Sequence, residues 1–351
     1  MGADFITPPP LERGDKVAIV SPASGLAAAY PHVYERGLER LRSVYDLEPV
    51  EFPTAKRTDD YLFDHPEERA RDIENAFADP EIKGVIATIG GNDQIRVCKH
   101  LDADILRQNP TRFYGSSDNT NLAQYLWNQG IVSFYGGMVL TDFAVPGRFP
   151  EYQEAALRSA LFDDEIGEIN PAPEFTDQDL DWADPDNLRK RPEMEENAGW
   201  VWRGGQQAVT GRTWGGGFEN THQQVTADRY LPDAEALDGK ILLVETSELL
   251  PSPAMVQLML LGLGERGLLS RFDGFLVGRT KARNHSQERS REEREQYRRQ
   301  IRDTVVDIVT EYNGAAPIVF NVDFGHTNPT VPVPIGANVT VDPQAERILF
   351  E

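Results

Sequence analysis

Cysteine is almost absent. Cys98 is the only one in 351 residues, which excludes an internal disulfide and any metal centre built on cysteine pairs. Lysine is scarce too: seven of the 35 basic residues are Lys, against 57 Asp and Glu, and the net charge is −22. A surface of that sign repels nucleic acid and anionic membranes, so neither is an expected partner. No stretch approaches the ~18 uninterrupted apolar residues of a membrane span. Met1-Gly2-Ala3-Asp4 does not open as a signal peptide does, and the expectation is a soluble, cytoplasmic protein. H-E-x-x-H is missing, which leaves a zinc hydrolase unsupported, and the turn at Gly90-Gly91 does not open the dinucleotide fingerprint G-x-G-x-x-G. Neither a metal nor an organic cofactor is expected.

The acid is spread along the chain instead of forming a tail, which argues against a disordered acidic segment. It fits adaptation to a very salty cytoplasm, where screening removes the self-repulsion of so many like charges.

What is present is enough apolar residue for a packed interior, in a chain too long for one core of usual size. Two domains are expected: 1–161, an acidic linker over 162–199, and 200–351. In the first, buried runs such as Lys16 to Val20 and Val85 to Ile89 alternate with helical patterns near 30–44 and 65–78. That alternation predicts βαβ crossovers and a Rossmann-like parallel sheet. The second half reads as β-rich, a barrel-like α/β unit of short strands and two clear helices, with Gly211 to Asn220 as a glycine-rich loop. Trp200 and Trp202 alternate so that both indoles can share a face, either as core or as a wall against which a substrate stacks.

Sites in parallel sheets form at the carboxyl ends of strands. Three small-residue turns end there: Ser21 to Gly25, Gly90 to Asp93, and Gly115-Ser116-Ser117-Asp118. The last joins a short strand to a helix, the geometry that holds a serine hydroxyl clear of the backbone beside unpaired amides. Ser-Ser-Asp-Asn before a helix is equally ordinary N-cap chemistry, and paired glycines also simply permit a tight turn. Of six histidines, only His326 lies in a loop just past a strand. Glu245 sits at the end of the apolar run Ile241 to Val244, where a carboxylate needs hydrogen bonds or a way out to solvent.

Together, Gly14-Asp15-Lys16-Val17-Ala18-Ile19-Val20-Ser21-Pro22, Ile89-Gly90-Gly91-Asn92-Asp93, Gly115-Ser116-Ser117-Asp118, and Val244-Glu245 with Phe324-Gly325-His326 resemble the serine-peptidase family of LD-carboxypeptidases and microcin C7 self-immunity proteins. The resemblance implies a Ser–Glu–His triad of Ser117, Glu245 and His326. It implies oxyanion donors at the amides of Asp118 and Gly91, and Glu219 receiving a cationic group of the substrate; with Gly90 and the alternating Trp200 and Trp202, Glu219 makes up the candidate substrate site. The long stretch before Trp200 is similar to the microcin-immunity branch. The implied function is cleavage of an amide in a small peptide or aminoacyl-nucleotide conjugate, with murein tetrapeptide trimming as the alternative and a homodimer as the implied assembly. A non-catalytic small-molecule or peptide binder is the contrasting reading; it requires Ser117, Glu245 and His326 to stand too far apart to interact.

Overall fold

The computed structural model describes residues 5–351, so the leader reading of residues 1–4 lies outside the described residues. The first half supplies five strands: β1 Lys16–Val20, β2 Glu48–Glu51, β3 Ile82–Ala87, β4 Arg112–Tyr114 and β5 Ser133–Tyr135. They pair in parallel in the order β2-β1-β3-β4-β5. Val17 to Val20 are fully buried, as strands covered by helices on both faces must be. The helices Pro31–Ser43 and Pro66–Ala78 each begin with proline in the first turn, where its missing N–H is no loss. The strand order reverses between β1 and β3, and the crevice beyond their carboxyl ends is where sheets of this kind bind ligands.

The second half forms an eight-stranded mixed sheet. Its strands are β6 Gly167–Ile169, β9 Val201–Gly204, β10 Val209–Gly217, β11 Lys240–Glu245, β12 Phe272–Gly278, β13 Pro317–Val322, β15 Asn338–Asp342 and β16 Arg347–Phe350. A small hairpin pairs β7 Glu174–Phe175 with β8 Glu195–Glu196, and β14 is Val333–Ile335. β10 to β13 are parallel neighbours and the outer strands antiparallel. Helices Pro253–Glu265 and Arg291–Tyr312 pack on it, the second started by a Ser290/Glu293 capping box. No helix among the described residues is long and apolar enough to cross a membrane.

Sheet membership does not follow chain order. β14 pairs antiparallel with β5 and completes the first sheet, tying the two halves together. The segment read as a glycine loop is largely strand β10, whose Gly217 N–H donates to Thr120 Oγ1 at 2.8 Å, across the boundary between the halves. Residues 162–199, read as a linker, carry β6 into the second sheet. They are also docked by ion pairs: buried Asp177 meets Arg283 and Arg298, and Glu195 meets Arg294. Thr176 and Asn328 exchange backbone hydrogen bonds of 2.7 and 2.9 Å, which clamps this segment onto the loop that carries His326.

Candidate active site

The serine turn is strained in a specific way. Ser117 has φ of 59°, a left-handed conformation that a residue with a Cβ adopts only when its surroundings impose it. It opens a short 3₁₀ turn, Ser117–Asn119, that runs into the Thr120–Asn128 helix. Neither Ser116 nor Asn119 caps with its side chain, so ordinary capping does not account for the sequence. Thr120 Oγ1 donates to the Ser117 carbonyl at 2.6 Å, and Asn119 Nδ2 donates to the carbonyls of Ser116 and Ile89 at 3.0 and 3.2 Å. Asp118 is buried and accepts from Gln94 N–H, Asn121 Nδ2 and Asn220 Nδ2 at 2.8 to 3.1 Å. Burial pushes its carboxyl up to about 6, and its side chain is committed to holding the turn.

The glycine pair lies against this turn. A Cβ on Gly90 would stand 2.7 Å from Ser117 Cβ, 3.0 Å from its Oγ and 3.3 Å from the Asp118 amide nitrogen, so only glycine leaves the hydroxyl and that N–H uncovered. Gly91 packs on Ala23 and Ser24, and Ser24 Oγ donates to Gly90 O at 2.7 Å. Buried Arg69 locks the same loops, forking onto both oxygens of Asp93 and onto Ala23 O, each at 2.8 Å. All three turns therefore converge on Ser117.

From the second sheet come Glu245, the last residue of β11, and His326, four residues beyond β13. His326 Nδ1 and Glu245 Oε2 are 2.7 Å apart. The Glu245 side chain is wholly buried between Gly278 and Gly325, and a Cβ on Gly325, which has φ of 100°, would fall 2.6 Å from Oε2. The other carboxylate oxygen, Oε1, accepts from Tyr135 Oη at 2.6 Å, and the same phenol oxygen accepts the Ser117 N–H at 3.0 Å. Burial, and then the Glu245 charge, raise the phenol well above its ordinary value, so Tyr135 stays a donor. Burial opposes a charge on His326, but Glu245 and Glu248 outweigh it and hold the imidazole well above its usual range. Glu248 Oε2 stands 3.0 Å from Nε2, and Ser117 Oγ has no hydrogen-bond partner among the described residues. Lys281 Nζ donates to the His326 carbonyl at 3.4 Å and to Asp179 at 2.7 Å, fixing the loop from behind.

Glu219 lies in the first turn of the Phe218–Ala227 helix. Its Oε1 accepts from Ser247 N–H and Oγ at 3.0 and 2.7 Å, while Oε2 is buried without a partner. Burial, and next the Glu245 charge, raise its carboxyl. The Trp200 and Trp202 rings meet edge to face at 6.2 Å, and Trp200 Nε1 donates to Asp323 Oδ2 at 3.2 Å, three residues before His326. The sequence reading gave no role to Tyr135 or Glu248. The position of Tyr135 at the carboxyl end of a strand beside the serine strand is the signal that marks it.

Fold and site define an α/β protein in which a strained serine turn at the end of one sheet is linked through Tyr135 to a carboxylate–imidazole pair from a second. Residues 17–136 match the LD-carboxypeptidase N-terminal domain and residues 210–341 the LD-carboxypeptidase C-terminal domain, and the chain belongs to this family of peptidases. A Vibrio cholerae protein named as a carboxypeptidase is 26% identical over 95% of this chain and 93% of its own. The microcin C7 self-immunity protein MccF of Escherichia coli is 24% identical over 95% and 92%. The solved structure of an MccF-like protein from Streptococcus pneumoniae in complex with AMP superposes with a TM-score of 0.86 at 29% identity. It covers 96% of this chain and 99% of that one.

Proposed function

We propose that the chain is a serine hydrolase that cleaves an amide bond in a small peptide or aminoacyl-nucleotide conjugate. The observation that carries this is the path from Ser117 N–H through Tyr135 and Glu245 to His326, which joins nucleophile turn, acid and base across two sheets. In this mechanism Ser117 Oγ attacks the amide carbon and its proton passes to His326 Nε2. Glu245 fixes the tautomer through Nδ1 and stabilises the imidazolium. The N–H groups of Asp118 and Gly91 hold the oxyanion, and Gly90 leaves room for the carbonyl. His326 then protonates the departing amine, and water hydrolyses the acyl-enzyme. Base and oxyanion hole each contribute about 10²–10⁴-fold in rate. Glu219 receives a cationic group of the substrate through Oε2, and Trp200 and Trp202 form an outer wall.

Two observations favour the nucleotide conjugate: the similarity over almost the whole chain to the microcin C7 self-immunity protein, and the relative of 29% identity solved with AMP. The test is hydrolysis of an aminoacyl sulfamoyl adenosine beside that of a murein tetrapeptide. Release of free amino acid from the first, abolished in Ser117→Ala, is the expected result; cleavage of the tetrapeptide alone would move the assignment to murein trimming.

A further inference from the structure

His326 Nε2 is the nitrogen that must take the Ser117 proton, yet it is occupied. Glu248 Oε2 lies 3.0 Å from it, while Glu245 holds Nδ1 at 2.7 Å, so the imidazole is bracketed by two carboxylates. One nitrogen cannot serve both Glu248 and the serine hydroxyl. An imidazole paired on both edges also carries both protons and has no lone pair to accept a third.

The two carboxylates differ in freedom. The Glu245 side chain is 0% exposed and enclosed by Gly278 and Gly325, whereas that of Glu248 is 54% exposed. The Glu248 backbone is fixed: its carbonyl accepts from Asn284 Nδ2 at 2.7 Å, and Leu250 N–H returns to Ser247 O at 3.2 Å. Departure of Glu248 from Nε2 therefore needs only a side-chain rotation, not a movement of the loop.

Resting on the serine-hydrolase reading, we propose that Glu248 is a positioning residue that occupies His326 Nε2 in the empty site and rotates off it when substrate enters. The other groups around the ring do not supply this control. Tyr135 stays neutral and bonds Glu245, Glu219 is engaged through Oε1 by Ser247, Lys281 is paired with Asp179 and meets His326 at its carbonyl and not at its ring, and Asp323 is paired with Arg279. The direction of the Glu248 ionisation agrees: partial burial opposes its charge, but His326 holds its carboxyl down at about 2.

A fluorophosphonate probe tests this without a known substrate. Ser117 Oγ forms a bond to phosphorus, fluoride leaves, and the serine proton goes to His326, so the labelling rate against pH reads the free base in the empty site. In the full-length protein, labelling should rise with pH along a limb above the ordinary imidazole value. Glu248→Gln should move that limb at least one pH unit lower, giving about tenfold faster labelling on the acid side of the native limb. Glu248→Ala should shift it in the same direction, with circular dichroism confirming the fold of both. Superimposed midpoints in native and variant proteins would overturn the proposal. Absence of labelling in the native protein at every pH would instead strike at the serine reading itself, so the two failures are distinguishable.

Discussion

Tyr135 and Glu245 meet across the boundary between the two sheets, with the phenol donating to the buried carboxylate at 2.6 Å. Because the same oxygen accepts the Ser117 N–H, the strained turn and the acid paired with His326 share one hydrogen-bonding atom. Tyr135→Phe strands both a buried carboxylate oxygen and a part-buried N–H. The expected outcome is a loss of about 1–3 kcal/mol in urea unfolding, with serine labelling slowed at every pH. Native labelling in that variant would remove Tyr135 from the account.

Gly90→Ala places a methyl group 2.7 Å from Ser117 Cβ and beside the Asp118 amide. Either the serine or the glycine loop must shift. Labelling and turnover should fall about 10²-fold, as for a misplacement of roughly 1 Å. Melting temperature should fall as well, because Gly90 is buried and overpacking there costs about 1–3 kcal/mol.

The pH dependence of stability follows from His326, whose folded value is raised above the ordinary 6.5. Its charge adds stability fully below that ordinary value, and the contribution is lost as pH rises through the raised one. The unfolding free-energy difference between native protein and His326→Gln should therefore shrink on going from mildly acidic to alkaline solution. A difference that widens with pH would mean that the histidine is not paired as described.

Asp177 is 1% exposed and accepts from Arg283, Arg298 and the Ala282 N–H. Asp177→Ala removes the acid that Arg283 and Arg298 share, leaving Arg283 with Glu193 and Arg298 with Glu195, and the lost hydrogen bonds should destabilise by about 1–3 kcal/mol. Since residues around it clamp the His326 loop, serine labelling should slow as well, measured under conditions where the variant is folded.

If the −22 charge is an adaptation to salt, melting temperature should rise steeply from low to multimolar salt. Equal melting temperatures at both extremes would end that idea.

Much of this was legible in the chain because continuous apolar runs are what buried parallel strands require. Val17 to Val20, Ile241 to Val244 and the strand into Gly90 announce themselves, and the turns at their carboxyl ends mark where a site must form. Other features depend on contacts that no local pattern encodes. Residues 162–199 have little apolar periodicity because ion pairs to residues roughly a hundred positions away hold them. Strand β10 reads as a loop because glycines usually break strands; here they let the backbone reach Thr120. The left-handed Ser117, the bridging Tyr135 and the bracketing Glu248 arise only when segments distant in sequence meet.

The central claim is that Ser117 is the nucleophile, and intact-protein mass spectrometry after fluorophosphonate treatment tests it most directly. The account predicts one adduct, located to Ser117 by peptide mapping and absent from a folded Ser117→Ala variant. An adduct at another residue, or an undiminished adduct in that variant, would contradict it.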